Sequence, residues 1–388
     1  MGAMTPEETD DHDEVLPAIE PPSDVSPWTA PTDVEQFLYE HRDDEDPTEA
    51  LRLLARTGLY HPIAITATSP DIRERRPLTQ ALATGQTVAI VYTEGVLPRP
   101  HPHVVYEFAT LGALSVICPP EVDVLAINPR TPCELYVSAA DVERDTWWEM
   151  SEELFDPEGS HNRVVTRRSN AAEPGPLLHG LACGAHLCFG NGDPWNTLDW
   201  HGAGYSSEVE RLAEWWGVHD RADWLDVQQR LVEREVSPWY WDFVLGTRNH
   251  VDAEAWRQRV ATENPVLTEL VGKVLRYEAR FRADGLLPAD GYVRSVAAWD
   301  FGRASQMARW GYGARYASRA EMEQALLRTA EASRAVYRSW AEFSAAYILG
   351  RCLHFDEEEF GTWYTDVLEA HHALMAAPNS PWRTVPFR

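Results

Sequence analysis

The strongest pattern of apolar and polar positions in this sequence lies in residues 295–355. Apolar and aromatic residues there recur every three or four positions, which is the spacing of one helix face. One such stripe contains Val296, Trp299, Arg303, Met307 and Trp310. A second stripe contains Trp340, Phe343, Tyr347 and Arg351. Each stripe therefore carries an arginine in line with aromatic side chains.

Before this region, short β-rich runs alternate with helical patterns and with proline and glycine. We predict strands at 63–68, 87–93, 104–108, 124–127 and 135–138. Helices are predicted at 34–41, after Asp46-Pro47, at 78–83, at 110–117 and at 141–154. Asp33 is the expected N-cap of the first helix. This mixture of strands and helices predicts a small α/β module.

From residue 177 onward the pattern is helical throughout. We predict helices at 177–189, 206–216, 221–235, 238–245, 252–261, 265–283, 290–310, 318–337, 340–354 and 356–375. Ser318 with Glu321, and Ser339 with Glu342, have the spacing of capping boxes. The acidic residues at 356–359 are expected in the first turn of the last helix, where the helix dipole favours them. The fold class is thus predicted to be α+β overall.

Four segments follow from these patterns. Residues 1–32 are acidic and proline-rich, and predict a disordered tail that is either solvated or used for docking. The α/β module occupies 33–155, and a polar stretch with glycine, asparagine and proline at 156–176 is the predicted linker. An all-helical domain occupies 177–388.

Charge limits the classes of partner. The formal net charge of the 388 residues is -27, which argues against binding to nucleic acid or to an anionic membrane. No apolar run reaches the roughly 18 residues of a membrane span. The five cysteines are scattered, and no signal peptide is recognisable, so we expect a cytoplasmic protein.

Two stretches carry resemblances to known families. The region at roughly 78–142 resembles the SseB-like N-terminal domain family. The resemblance lies in the segments VAIVYTE, VVYEFATLGALSVICP and VDVLAINPRTPCELYVSAADV. This implies an α/β module without known catalytic residues.

The helical part of the chain resembles an uncharacterised bacterial helical family, domain of unknown function 1266. The resemblance lies within 177–387, in the segments LACGAHLCFGNGDPWNTLDW, AWDFGRASQMARWGYGARYASRAE, SWAEFSAAYILGRCLHF and NSPWRTVPF. That resemblance implies an all-helical domain without established activity or cofactor. The occurrence of some members near polymorphic-toxin loci implies a role in interaction or toxin neutralisation.

Four residues are the nearest approach to a metal site: Cys183, His186, Cys188 and His201. Zinc prefers thiolate and imidazole ligands in a tetrahedral arrangement. The spacing C-x2-H-x-C-x12-H is not a standard zinc pattern, and three ligands within one helical turn and a half converge poorly. We therefore expect packed cysteines and ordinary histidines, and no metal or other cofactor.

The charged residues within the apolar stripes carry more information. Asp300 and Arg303 are i,i+3 neighbours, and together with Arg309 and Arg351 they suggest an internal ion-pair network that fixes helix register. The alternative is a pocket for an anionic ligand, built from Arg303, Arg351, Trp299 and Trp340, because arginine forks bind carboxylate or phosphate well.

No catalytic or nucleotide-binding motif is present. The leading hypothesis is therefore a non-catalytic protein that binds another protein, with toxin immunity as one form of this role. Two alternatives are an enzyme or binder of a small anion at the arginine–tryptophan pocket, and a structural component or cargo of a larger bacterial assembly. The sequence identifies neither the partner nor the oligomeric state.

Overall fold

A computed structural model describes residues 28–69, 71–159, 161–199, 201–248 and 251–388. The fold is α+β, as predicted: small sheets lie in the first half of the chain, and the second half is helical. Most of the predicted acidic tail, residues 1–27, lies outside the described residues. Within 28–32, the Trp28 ring packs at 5.1 Å from the Tyr39 ring, and the Pro31 carbonyl accepts a hydrogen bond from the Arg168 backbone.

The strands form two small sheets. They are β1 (Leu59–Ala64), β2 (Thr79–Ala81), β3 (Thr87–Val91), β4 (Val104–Ala109), β5 (Val124–Ile127) and β6 (Leu135–Ser138). Strands β1 and β4 pair antiparallel. The other sheet has the order β2-β3-β5-β6, in which only β3 and β5 are parallel to each other.

Four helices cover the strands of the first half. They are α1 (Asp33–Glu40), α2 (Thr48–Thr57), α3 (Leu111–Ile117) and α4 (Asp141–Leu154). Their apolar faces share a core with the sheet, in which Leu54, Leu125 and Trp147 are almost completely buried. The N-cap of α1 is Thr32, whose hydroxyl accepts from the Val34 backbone, so the predicted cap at Asp33 was wrong by one residue.

Twelve further helices follow in the described part of the chain. They are α5 (Pro176–Cys183), α6 (Ala185–Asn191), α7 (Tyr205–Trp216), α8 (Arg221–Val232), α9 (Trp239–Gly246), α10 (Ala253–Glu263), α11 (Thr268–Ala283), α12 (Ala297–Gly313), α13 (Arg319–Val336), α14 (Trp340–Phe355), α15 (Thr362–Ala376) and α16 (Pro381–Thr384). None of the described helices combines the length and apolarity that crossing a membrane requires.

Helix α12 is the centre of this helical region. Every residue from Ala297 to Tyr312 is buried, because α5, α8, α13 and α14 pack around it. Trp224 of α8 fits against Gly311, where an added Cβ would lie 2.1 Å from the indole nitrogen. That nitrogen donates to the Met307 carbonyl at 2.9 Å, so the indole both fills space and satisfies its own polar group.

Several predicted helices were wrong in part. Residues 78–83 contain β2, which pairs with β3. The helix predicted at 177–189 is divided at Gly184, and α12 begins at Ala297 rather than at 290. The acidic residues at 356–359 precede α15 instead of forming its first turn, because Glu357, Glu358 and Phe360 adopt positive φ angles. The capping box at Ser318 and Glu321 is confirmed.

The two halves are joined by specific polar contacts. Glu107 of β4 accepts from the Ser206 hydroxyl at 2.5 Å and from its backbone N–H, and so caps the start of α7. Arg315 donates to the Val104 carbonyl at 3.0 Å. Within the predicted linker, Arg167 contacts Glu94 of the first half and donates its backbone N–H to Asn196. These contacts hold the α/β half against the helical half.

Candidate functional site

A large cleft of about 1890 Å³ lies between the α/β half and the helical half. Its lining contains five carboxylates, from Asp33, Glu35, Glu94, Asp156 and Asp193. It also contains eight arginines: Arg56, Arg163, Arg167, Arg168, Arg211, Arg230, Arg303 and Arg351. Arginines therefore outnumber carboxylates among the lining residues, although the chain as a whole carries a net charge of -27.

The helical wall of the cleft is a continuous row of guanidinium groups and aromatic rings, which we call the arginine–aromatic ladder. Its members are Arg211, Arg303 and Arg351 together with Trp215, Trp216, Trp299, Trp310, Phe355 and Trp363. Each arginine lies over two rings, in the arrangement that attracts a cation to the electron-rich face of an aromatic ring.

The first two rungs lie on α7 and α12. The Arg211 guanidinium carbon is 5.4 Å from the centre of the Trp310 ring and 6.0 Å from Trp215. The Arg303 guanidinium carbon is 4.4 Å from the Trp299 ring and 5.8 Å from Trp216. Trp216 and Trp310 are themselves 6.2 Å apart, so these two rungs are continuous.

The third rung joins α14 to α15. The Arg351 guanidinium carbon lies 5.1 Å from the Trp363 ring and 5.8 Å from the Phe355 ring. These two rings stack on each other at 4.6 Å. Phe355 also meets Trp299 edge to face at 6.2 Å, which connects this rung to the Arg303 rung.

Carboxylates three residues earlier in the helix neutralise the first two arginines. Glu208 contacts Arg211, and Asp300 contacts Arg303. Both carboxylates are fully buried. Burial raises the pKa of Asp300, which the neighbouring Arg303 charge and hydrogen bonds from Ser237 counteract. Each of these rungs is thus a closed ion pair within the wall.

Arg351 differs because the residue three positions earlier is Ile348. No ion pair in the described part of the chain includes Arg351, and its Nε has no hydrogen-bond partner there. Its guanidinium lies beside the Tyr347 hydroxyl, and burial raises the pKa of that tyrosine to about 12 against the pull of the Arg351 charge. Arg351 therefore presents an uncompensated, half-buried positive charge to the cleft.

Two of the predicted site residues, the pocket candidate Trp340 and the ion-pair candidate Arg309, lie outside the cleft lining. Trp340 is in the core, where its indole nitrogen donates to the Val385 carbonyl at 2.8 Å and its ring stacks on Trp382. Arg309 is buried and donates to the Pro194 carbonyl at 2.8 Å. It lies near Asp193, whose pKa burial raises to about 6. The predicted pocket of Arg303, Arg351, Trp299 and Trp340 is thus wrong in its last member, whereas the first three line the cleft.

The four weak metal candidates have separate surroundings. His186 contacts the Ser344 hydroxyl at 3.0 Å, and Cys183 contacts Ser333. Cys188 lies beside Arg309, and His201 packs 5.2 Å from the Tyr106 ring. Within the ranges that the structure describes, no three His, Cys, Asp or Glu side chains are grouped so that they could hold a metal ion.

Sequence reasoning missed Arg211, Phe355 and Trp363. A signal for the first two was present: an arginine and an aromatic residue four positions apart occur at 211 and 215, at 299 and 303, and at 351 and 355. Residues four apart lie on the same helix face. Trp363 had no such signal, because its position depends on the turn that precedes α15.

Residues 211–387 match a family described as Protein of unknown function (DUF1266). This supports an uncharacterised domain in the C-terminal part of the chain, which includes all three arginines of the ladder. No curated protein and no solved structure matches the chain. The family match supplies no activity, so the function must be argued from the cleft.

Proposed function

We propose that this protein binds a small anionic ligand in the cleft, and that Arg351 holds the anionic group. The observation that supports this proposal is the single open rung of the ladder. Arg211 and Arg303 each have a buried carboxylate partner, whereas Arg351 has none among the described residues. The planar guanidinium can bind a carboxylate or a phosphate through two parallel hydrogen bonds.

The energetics favour an external anion at this position. A guanidinium that is partly removed from water loses solvation, and only a carboxylate, a phosphate or several carbonyls can replace it. Contacts with Phe355 and Trp363 compensate part of this loss. A hydrogen bond to a charged group contributes about 1.5–3 kcal/mol, which corresponds to an affinity change of about tenfold or more.

The experiment measures the affinity of the wild-type protein and of Arg351→Met for phosphate. Titration calorimetry, or broadening of the phosphorus NMR line, reports the binding. Methionine retains the apolar stem and removes the charge, so we expect at least a tenfold loss of affinity with an unchanged melting temperature. Arg328→Met is the matched control, because Arg328 is exposed on α13 and does not line the cleft. Equal phosphate affinity in the wild type and Arg351→Met would reject the proposal.

Binding of a protein partner, including a toxin, is a second candidate, and an exposed aromatic patch favours it. Trp239 at the start of α9 is 69% exposed, and Tyr240 beside it is 36% exposed. Exposed aromatic residues of this size are enriched at interfaces. The test is co-purification with the product of a neighbouring gene: Trp239→Ser should abolish the complex, and loss of the complex in Arg351→Met instead would assign it to the cleft.

We place this binding protein in the bacterial cytoplasm. All five cysteines are buried free thiols, as expected for a chain that folds under reducing conditions. Fractionation of the native host with an antibody against the protein tests this assignment, and recovery from the periplasm or the medium would refute it.

A further inference from the structure

We infer that the anion held by Arg351 carries an aromatic ring, and that this ring lies against Trp363 and Phe355. The inference rests on the proposed function and specifies its ligand class: an aromatic carboxylate or an aromatic phosphate. The two rings adjoin the guanidinium, yet Trp363 is 45% exposed and Phe355 is 38% exposed. The Arg351 guanidinium, which has no carboxylate partner among the described residues, and the exposed faces of the Trp363 and Phe355 rings therefore lie at one place in the cleft.

The turn before α15 holds Trp363 in this position. Glu357, Glu358 and Phe360 have φ angles of 48°, 68° and 54°, which L-residues with side chains rarely adopt. The buried Asp356 stabilises this backbone by accepting hydrogen bonds from the Phe360 and Gly361 N–H groups at 3.1 Å each. Such costly backbone conformations persist where surrounding contacts fix them, and they concentrate at functional sites.

Asp356 is in turn held by α11. It accepts a hydrogen bond from the Tyr277 hydroxyl at 2.9 Å, and the same hydroxyl accepts from the Glu358 backbone at 2.8 Å. The turn is thus tied to a buried tyrosine of a neighbouring helix. Trp363 is consequently a preorganised surface, which a ligand can contact without first ordering a loop.

The aromatic side chains in the cleft lining favour an aromatic ligand over a flexible aliphatic one. Phe108 and Phe155 line the opposite wall with their rings 6.3 Å apart. A planar ring system can contact aromatic surfaces by stacking or by edge-to-face packing, and it loses little conformational freedom on binding. The volume of about 1890 Å³ exceeds the roughly 300–1,000 Å³ of most small-molecule pockets, so the cleft as a whole has room for a fused ring system.

The anion itself can be either a carboxylate or a phosphate, because a guanidinium can donate two parallel hydrogen bonds to the oxygens of either group. The probes therefore include both groups on one ring system: 1-naphthoate and 1-naphthyl phosphate. Decanoate and inorganic phosphate provide the same anions without the ring, and 1-naphthalenemethanol provides the ring without the charge. Titration calorimetry measures each affinity.

We expect each naphthyl anion to bind at least tenfold more tightly than its non-aromatic counterpart, and the neutral alcohol to bind weakly. Trp363→Leu should remove most of this preference and leave the affinity for inorganic phosphate unchanged, whereas Trp363→Phe should retain part of it. The matched control is Trp239→Leu, since this exposed indole lies outside the cleft and should not affect any probe.

The outcomes separate this inference from the proposed function. Equal affinities for naphthoate and decanoate, unaffected by Trp363→Leu, would overturn the aromatic ligand class and leave anion binding at Arg351 intact. Binding of every probe without dependence on Arg351 would overturn both. Tighter binding of an oligothymidylate than of the naphthyl anions would reassign the cleft to single-stranded nucleic acid and would likewise overturn the inference.

Discussion

The Arg303 rung and the Arg351 rung consist of the same parts and differ at one position. In both, an arginine in a helix lies over two aromatic rings. The residue three positions earlier is Asp300 in the first case and Ile348 in the second. This one difference separates a charge that stabilises the fold from a charge that is available to a ligand. The comparison teaches that an arginine–aromatic pattern does not by itself identify a site, and that the carboxylate partner must be located first.

The largest expected effect on stability follows from removing the carboxylate partner of Arg303. Asp300→Ala leaves the Arg303 guanidinium buried without its carboxylate, and removes the acceptor of the Ser237 hydroxyl. Breaking a buried ion pair by removing one partner costs about 3–5 kcal/mol. Urea unfolding should show a decrease of this size in the free energy of unfolding. A loss below about 1 kcal/mol would mean that the Asp300–Arg303 pair is not a structural rung.

The pH dependence of stability should distinguish the buried histidines behind the ladder from the ladder itself. Burial lowers the pKa of His371 from 6.5 to about 4, and it holds the pKa of His186 well below its usual range. Since the unfolded chain then binds protons more readily than the folded protein, the free energy of unfolding should fall as the pH drops from about 6.5 towards 4. For His371 alone the difference of about 2.5 pKa units corresponds to about 3 kcal/mol.

His371→Gln should therefore flatten the acid side of the stability profile, while the cleft variant Arg351→Met should change it less. The raised pKa of Asp193, about 6, acts in the opposite direction, because the folded protein retains that proton up to a higher pH than the unfolded chain does. Chemical denaturation at a series of pH values measures the slope. An equal slope in the wild type and His371→Gln would contradict the assignment to this histidine.

The fold was predictable wherever the hydrophobic period was long. Helix α12 and α14 follow from the stripes around Trp299 and Tyr347, since a sustained interval of three and four residues fits only a helix. Strand β2 was not predictable, because its three residues are exposed and have no apolar alternation. The turn at 357–360 was likewise invisible, since positive φ angles there occur at glutamate and phenylalanine rather than at glycine.

The candidate site was predictable only in part. Trp340 shares a stripe with Arg351, but eleven residues separate them, about 16 Å along a helix, so a shared face did not mean a shared pocket. Arg309 follows Arg303 by six residues, which turns it about 240° around α12 and away from the cleft. The cleft itself forms because the α/β half packs against the helical half, and no local pattern encodes that contact.

A third prediction concerns a variant in which Arg351 gains a carboxylate partner. Ile348→Glu places a carboxylate three residues before Arg351, in the arrangement that Glu208 has with Arg211. The new pair should reduce phosphate affinity at least tenfold, because the guanidinium then has an internal partner. Ile348 is fully buried, so Ile348→Met serves as the control for packing. Circular dichroism should show both variants folded, and retained phosphate binding in folded Ile348→Glu would count against the comparison.

The most direct measurement pairs Arg303→Met with Arg351→Met and determines, for each, the free energy of unfolding and the affinity for phosphate. The account predicts opposite results: Arg303→Met destabilises the fold by about 2 kcal/mol or more, because Asp300 is left buried and unpaired. Arg351→Met should leave stability within about 0.5 kcal/mol of the wild type and lose phosphate binding. Equal destabilisation by both substitutions, with phosphate affinity unchanged in Arg351→Met, would show that the two rungs serve the same structural purpose and would contradict the account.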